Sequence, residues 1–213
     1  MLPPANDLIA LLGINLVLCA GCLRLLSWRH GVTLWGKVAT AAVFVLLWCP
    51  VGPARLPIAV YVRGISSDLS ISSIAIACLS MYQRLRGILP LAQGERTAVS
   101  VALAAVALFL YPLALGWGDW DAYRLGWGSP ALWAVLLVLS VVCWARGLRL
   151  LPTLVALALL AWAVGALESG NLWDYLIDPW LAVAAIFQCV KLAVSWALAR
   201  LRGARQGALP STS

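Results

Sequence analysis

Seven apolar runs, at roughly 8–26, 38–62, 69–83, 97–116, 130–146, 150–167 and 180–199, alternate with short polar segments along the chain. A helix needs about 20 residues to cross a hydrocarbon layer of ~30 Å. Only helices and closed barrels satisfy their backbone hydrogen bonds in lipid. The pattern therefore predicts an all-α integral membrane protein of about seven transmembrane helices. Composition leaves room for little else: 63% of the 213 residues are hydrophobic, 11% are charged and the mean hydropathy is +0.95. The expected organisation is one polytopic membrane domain over 1–205, followed by a short flexible cytoplasmic tail at 206–213.

The basic residues fall in alternate loops. Arg24, Arg29 and Lys37 form one group, Arg84, Arg86 and Arg96 a second, Arg146 and Arg149 a third, and Arg200, Arg202 and Arg205 the last. Lys and Arg are retained on the cytoplasmic side, which puts the N-terminus outside, the C-terminus in the cytoplasm and the chain in a bacterial inner membrane. Eleven basic residues are then cytoplasmic, Arg55, Arg63 and Arg124 are outside, and Lys191 lies within the last span. A net charge of +7 would suggest nucleic acid in a soluble protein; here it reads as a topology signal and no nucleic-acid partner is expected. Seven of the eight acids lie outside, with Glu95 alone inside, and the topology rule does not explain them.

The second run contains Pro50, Pro53 and Pro57, each lacking a backbone donor. It is expected to be broken, either as a helix from Val38 to Cys49 followed by a re-entrant Leu56–Val62 piece or as one kinked helix. Irregular backbone at membrane depth must be buried in protein or line a wet cavity, so this region is a candidate pocket wall. A short repeat, Leu115-Gly116-Trp117-Gly118 and Leu125-Gly126-Trp127-Gly128, brackets Asp119, Asp121, Tyr123 and Arg124 in one outer loop. Its tryptophans suit the headgroup zone.

The outer surface thus gathers the candidate site. Arg63 and Arg124, which run against the charge bias, fork well onto phosphate or carboxylate. Asp119, Asp121, Tyr123, Asn171 and Tyr175 complete the candidate ligand-binding set, and pairing with the acids is the bland reading of both arginines. Asp119, Asp121, Glu168 and Asp174 could supply oxygen ligands to a divalent cation, the one cofactor considered. Glu168 and Asp174 are the candidate catalytic bases. Helix capping is the competing role for Asp178 before Pro179, Ser129 before Pro130, and Asp68. The cysteines sit in or beside apolar runs and set no disulfide framework, while the single histidine, His30, lies in a basic loop. The leading expectation is an accessory or binding protein whose outer pocket holds an anionic envelope lipid or lipid-linked glycan. A membrane transferase or hydrolase acting on a lipid-linked phosphate, and a structural partner in an envelope protein complex, are the alternatives.

Overall fold

The computed structural model describes residues 4–27 and 31–207, with side chains through Leu201. Arg29, His30, the side chains of Arg202 and Arg205, and residues 208–213 of the expected tail lie outside the described residues. The protein is all-α apart from one two-residue β-ladder. Its helices are α1 (Ala5–Leu26), α2 (Leu34–Leu47), α3 (Ile58–Ser66), α4 (Ile71–Arg86), α5 (Gln93–Ala114), α6 (Pro130–Ala145), α7 (Leu150–Ala163), α8 (Leu172–Leu176) and α9 (Pro179–Gly207). A 3₁₀ turn, Ala122–Gly126, sits between α5 and α6. Three helices, α1, α5 and α9, are long and apolar enough to cross a membrane; α2, α6 and α7 are apolar but shorter. Their outward faces are apolar as well: Val135, Val138, Val183 and Phe187 are each more than 60% exposed. Water rarely meets such a continuous apolar surface on a soluble protein, and lipid does.

The break in the second run is sharper than a kink. Helix α2 stops at Leu47, and Pro50–Val51 (β1) pairs antiparallel with Leu56–Pro57 (β2) around a turn containing Gly52 and Arg55, both at positive φ. The chain then restarts as α3. This helix begins beside Leu11, where Ala59 is fully buried, and ends beside Asp7 at the start of α1. Each proline sits where its missing donor costs nothing in a helix interior, at a strand position, in the turn, or just before α3.

Two apolar clusters form the interior. The larger spans α5, α6, α7, α8 and α9, while the smaller joins Leu11, Leu47 and Ala59. Helix α4 lies between them, packed on α1 and α7. Gly13 lets α4 approach closely, since a Cβ there would stand 2.4 Å from Ile74 Cδ1. Asn15, fully buried in α1, donates to the Phe44 carbonyl at 3.0 Å, which is free because the Trp48 N–H turns to Val45. Cys19 adds sulfur contacts to Asn15 and to the Thr40 carbonyl. Polar contacts of this kind join helices where apolar surfaces alone give no preference over lipid, at about 1 kcal/mol each.

One buried carboxylate joins two helix starts. Asp178 Oδ1 accepts from the Leu181 N–H and caps α9, while Oδ2 accepts from the Ser70 N–H, the Ser70 hydroxyl and the Ser73 hydroxyl at 2.9, 2.7 and 2.5 Å. Ser70 Oγ in turn accepts from the Ser73 N–H and caps α4. Both helices direct the positive end of their dipole at this carboxylate. Beyond that point α9 packs extensively on α5 alone, so α4 and α9 share a start and little else.

Asp178→Ala removes this acceptor and strands the Ser70 and Ser73 donors. It should destabilise the fold by about 3 kcal/mol, read as a lower unfolding midpoint in detergent, with Asp178→Asn intermediate. An unchanged midpoint for the alanine variant would refute the joining role.

Candidate functional site

Polar side chains collect at two opposite ends of the bundle. At the first, the acidic end, Arg63 is enclosed by three carboxylates. Its Nε and Nη2 fork onto Asp68 at 2.5 and 3.1 Å, Nη1 donates to Asp7 at 2.6 Å, and Nη2 also reaches Glu168 at 3.3 Å. These contacts tie α3, the start of α1, the segment before α4 and the segment after α7 to one guanidinium. Arg63 is 21% exposed and Glu168 79%, so the Glu168 contact is largely screened while the other two are sheltered.

Beside it, the 3₁₀ turn locks onto α8. The Tyr123 hydroxyl donates to Asp174 Oδ2 at 2.7 Å, and the Ser169 hydroxyl donates to the same oxygen. Asn171 Nδ2 donates to the Tyr123 carbonyl at 3.0 Å, Asn171 Oδ1 caps α8 through the Trp173 N–H, and Trp173 Nε1 donates to the Ala122 carbonyl at 3.1 Å. Tyr175, fully buried, accepts from the Leu167 N–H and donates to the Ser169 carbonyl at 3.0 Å. Gly126 makes the approach possible: a Cβ there would lie 1.7 Å from Asn171 Oδ1 and 2.8 Å from Trp173 Cδ1. Burial first, and then the bond to Asp174, push the Tyr123 phenol up to about 12, so it remains a donor at neutral pH.

Most of the outer candidates make contacts within the fold. Arg63 has no fork left for a phosphate, and the carboxylates around it outnumber its single charge. Asp68 pairs with Arg63 while Ser70 caps α4, so Asp68 is not the cap expected. Asp121 caps the 3₁₀ turn through the Tyr123 N–H, Ser129 precedes Pro130 without a side-chain bond, and Asp178 caps α9 as its position before proline suggests. Asn171 and Tyr175 are fully buried and serve the α8 lock. Asp119 and Arg124 are exposed and have no side-chain partner among the described residues. Glu168 and Asp174 belong to separate networks, and no three His, Cys, Asp or Glu among the described residues gather into a metal-ligand group. An apolar void of about 40 Å³ reaches Trp173 and Leu176 of α8.

The opposite, basic end holds a cleft of about 420 Å³ between α4, α5 and α9, within the ~300–1,000 Å³ range of ligand sites. Arg24, Arg84 and Arg96 line its mouth. Arg84 Nη1 donates to Ser27 Oγ at 2.8 Å, which fixes its stem, and no carboxylate reaches any of the three among the described residues. The nearest acid in sequence, Glu95, is committed elsewhere: its two oxygens accept from the Arg149 and Leu150 N–H groups at 2.7 and 3.0 Å, at the start of α7. Ser80, Gln83, Ser100 and Gln188 add polar groups, and the rest of the lining is apolar, including Ile88, Leu91 and Leu150 near the arginines and Ile76, Leu103 and Leu181 farther in. Among the described residues no His, Cys, Asp or Glu lines the cleft. Three uncompensated guanidiniums beside apolar walls attract an anion more strongly than they would in water.

None of these residues was a sequence candidate, because their charges were already explained by topology. A signal did exist. Ser80, Gln83 and Arg84 share one face of α4, and Arg96 and Ser100 one face of α5, at the spacing of three and four that aligns side chains along a helix.

Two outcomes test the acidic-end network. Gly126→Ala forces the 3₁₀ turn off Asn171 and Trp173, and should lower stability by about 2 kcal/mol, measured as the unfolding midpoint. An unfolded tyrosine ionises near 10 whereas Tyr123 keeps its proton to about 12, so its contribution is complete below pH 10 and is lost as pH rises toward 12. The wild-type midpoint should therefore fall more steeply over that interval than that of Tyr123→Phe; parallel curves would remove Tyr123 from the network.

Compared with protein-family models, curated proteins and solved structures, the chain matches none.

Proposed function

We propose that this protein is a seven-span bacterial inner-membrane protein, N-terminus outside and C-terminus cytoplasmic, that binds an anionic envelope lipid as an accessory or binding component. In this reading α1, α2, α4, α5, α6, α7 and α9 cross the bilayer, and α3, α8 and the 3₁₀ turn face the outside. The basic end is then cytoplasmic, and the lipid sits in the inner leaflet. That moves the binding site to the side opposite the one the outer arginines suggested.

The observation that carries the reading is the cleft with Arg24, Arg84 and Arg96 at its mouth and no acid in its lining. Guanidiniums kept at the membrane interface are ordinarily hydrated or matched by headgroup phosphates. Here they converge on a concave site large enough for a ligand. Binding is favoured over catalysis, because among the described residues the lining offers Ser and Gln but no base, nucleophile pair or metal ligand. The two candidate bases, Glu168 and Asp174, bond to separate partners, Arg63 and Tyr123.

Lipids retained in nanodiscs should be enriched in an anionic species, and Arg84→Ala combined with Arg96→Ala should reduce that enrichment roughly tenfold, the effect of losing about 1.4 kcal/mol of charge-assisted hydrogen bonding. Arg63→Ala should lower the unfolding midpoint and leave the lipid complement unchanged. Equal lipid profiles for wild type and the cleft double variant would refute the proposal.

A further inference from the structure

Lys191 stands in the middle of the last apolar helix. Between Trp180 and Arg200, residue types that settle at membrane interfaces, α9 rises about 30 Å at ~1.5 Å per residue, one hydrocarbon thickness. Lys191 lies eleven residues from the first and nine from the second. Its side chain does not run toward the nearer interface. Nζ sits 5.9 Å from the centroid of the Phe187 ring, one turn back toward the start of α9, the direction in which helical side chains lean. A ring at that distance is at the outer limit of cation–π attraction. Lys191 is exposed, and among the described residues no carboxylate pairs with it.

The helix face beside this lysine is unpartnered as well. Val183, Phe187, Val190, Val194 and Leu201 are each more than half exposed, and their spacing of four, three, four and seven sets them in one stripe. Ala182 and Ala185 turn inward on the other side, where α9 packs on α5. From 193 to 201 every residue is exposed. Lipid covers an apolar stripe as well as protein does; it does not cover a charge.

The charge selects the occupant. Headgroup phosphates lie at the interfaces, the nearer about 13 Å away along the helix. A second copy of the chain brings no counter-ion to this depth, because all eight acids lie in loops or at helix starts and none at mid-span. A parallel copy would set lysine against lysine. Charged side chains within a membrane pair with one another, which leaves a helix of another protein with a carboxylate at matching depth.

We infer that the outward face of α9 docks a membrane-spanning helix of a different protein, whose Asp or Glu at mid-bilayer pairs with Lys191 while its apolar side chains pack on Phe187, Val190 and Val194. The inference needs α9 to cross the membrane, as in the topology above, and is independent of the anion in the cleft.

The test uses the full chain in phosphatidylcholine nanodiscs. The probe is a synthetic leucine and alanine helix of about 20 residues with one central Glu, and the control is the same helix with Leu there. Energy transfer between labelled protein and labelled peptide should show the Glu helix bound about tenfold more tightly, a difference of ~1.4 kcal/mol. Lys191→Met should abolish that difference and leave the unfolding midpoint at or above that of the wild type. Equal binding of the two peptides, or a preference that survives Lys191→Met, overturns the docked helix, and a lowered midpoint gives the ammonium a partner within the chain and does the same. Self-association of the wild type that is lost in Lys191→Met would assign the face to a second copy instead. Loss of the preference on adding phosphatidylglycerol would assign the ammonium to lipid headgroups; either result refutes the inference. The span is read separately with a water-soluble amine reagent, which should modify Lys37, exposed in the first turn of α2, and spare Lys191. Equal modification of the two lysines removes α9 from the hydrocarbon, so the topology falls together with the docked helix; a protected Lys191 with equal peptide binding overturns the docked helix alone.

Discussion

A carboxylate buried at the meeting of two helix starts has to be satisfied completely, because an ion left unpaired away from water costs several kcal/mol. Asp178 meets that demand with four donors drawn from α4 and α9. The satisfaction is local and leaves the rest of the two helices unconstrained by each other. Since α9 packs extensively on α5 alone, its course away from Asp178 follows α5, while α4 follows α1 and α7. The cleft is the space left by those two allegiances, and its closed end and open end are both consequences of where the carboxylate sits.

The arginines at the two ends differ by their neighbours, not by their type. Arg63 faces Asp7, Asp68 and Glu168 within 3.3 Å, and its role is to hold four chain segments together. Arg24, Arg84 and Arg96 line one cleft, and among the described residues their one side-chain contact is the bond from Arg84 to the Ser27 hydroxyl. Mutual repulsion among three guanidiniums in a partly apolar site favours any anion that enters. The arginine that opposed the charge bias is paired with acids of the fold, and arginines that looked like topology signals line the cavity.

Much of the architecture was legible because it follows from solvent. The positions of all seven apolar runs coincide with helices, and the prolines at 50, 53 and 57 do end α2 early. Helix α7 stops at Ala163 before its run does, at a turn where Gly165 stands at φ 63, whereas α4 continues past its run to Arg86 and is ended by Gly87 at φ 65. Caps were partly legible, as Asp178 before Pro179 shows. What that spacing did not carry was the second half of the Asp178 contact, to Ser70 and Ser73 more than a hundred residues earlier in the chain. The pairing of Tyr123 with Asp174 and the cleft itself are of the same kind: they arise from which helices pack together, and periodicity within one run does not specify a neighbour.

The one-sided distribution of acids, which the charge rule leaves unexplained, now has a physical basis. Asp7 lies in the first turn of α1, Asp121 caps the 3₁₀ turn, Asp174 lies in the first turn of α8, and Asp178 caps α9. At the other end Glu95 lies in the first turn of α5 and accepts from the first N–H groups around α7. Carboxylates are stabilised at helix N-termini, where unpaired N–H groups and the helix dipole meet them. Most helix starts fall at the acidic end, and so do most of the acids. The same placement leaves the basic end with one acid, already committed to capping, and three arginines that no carboxylate among the described residues pairs with.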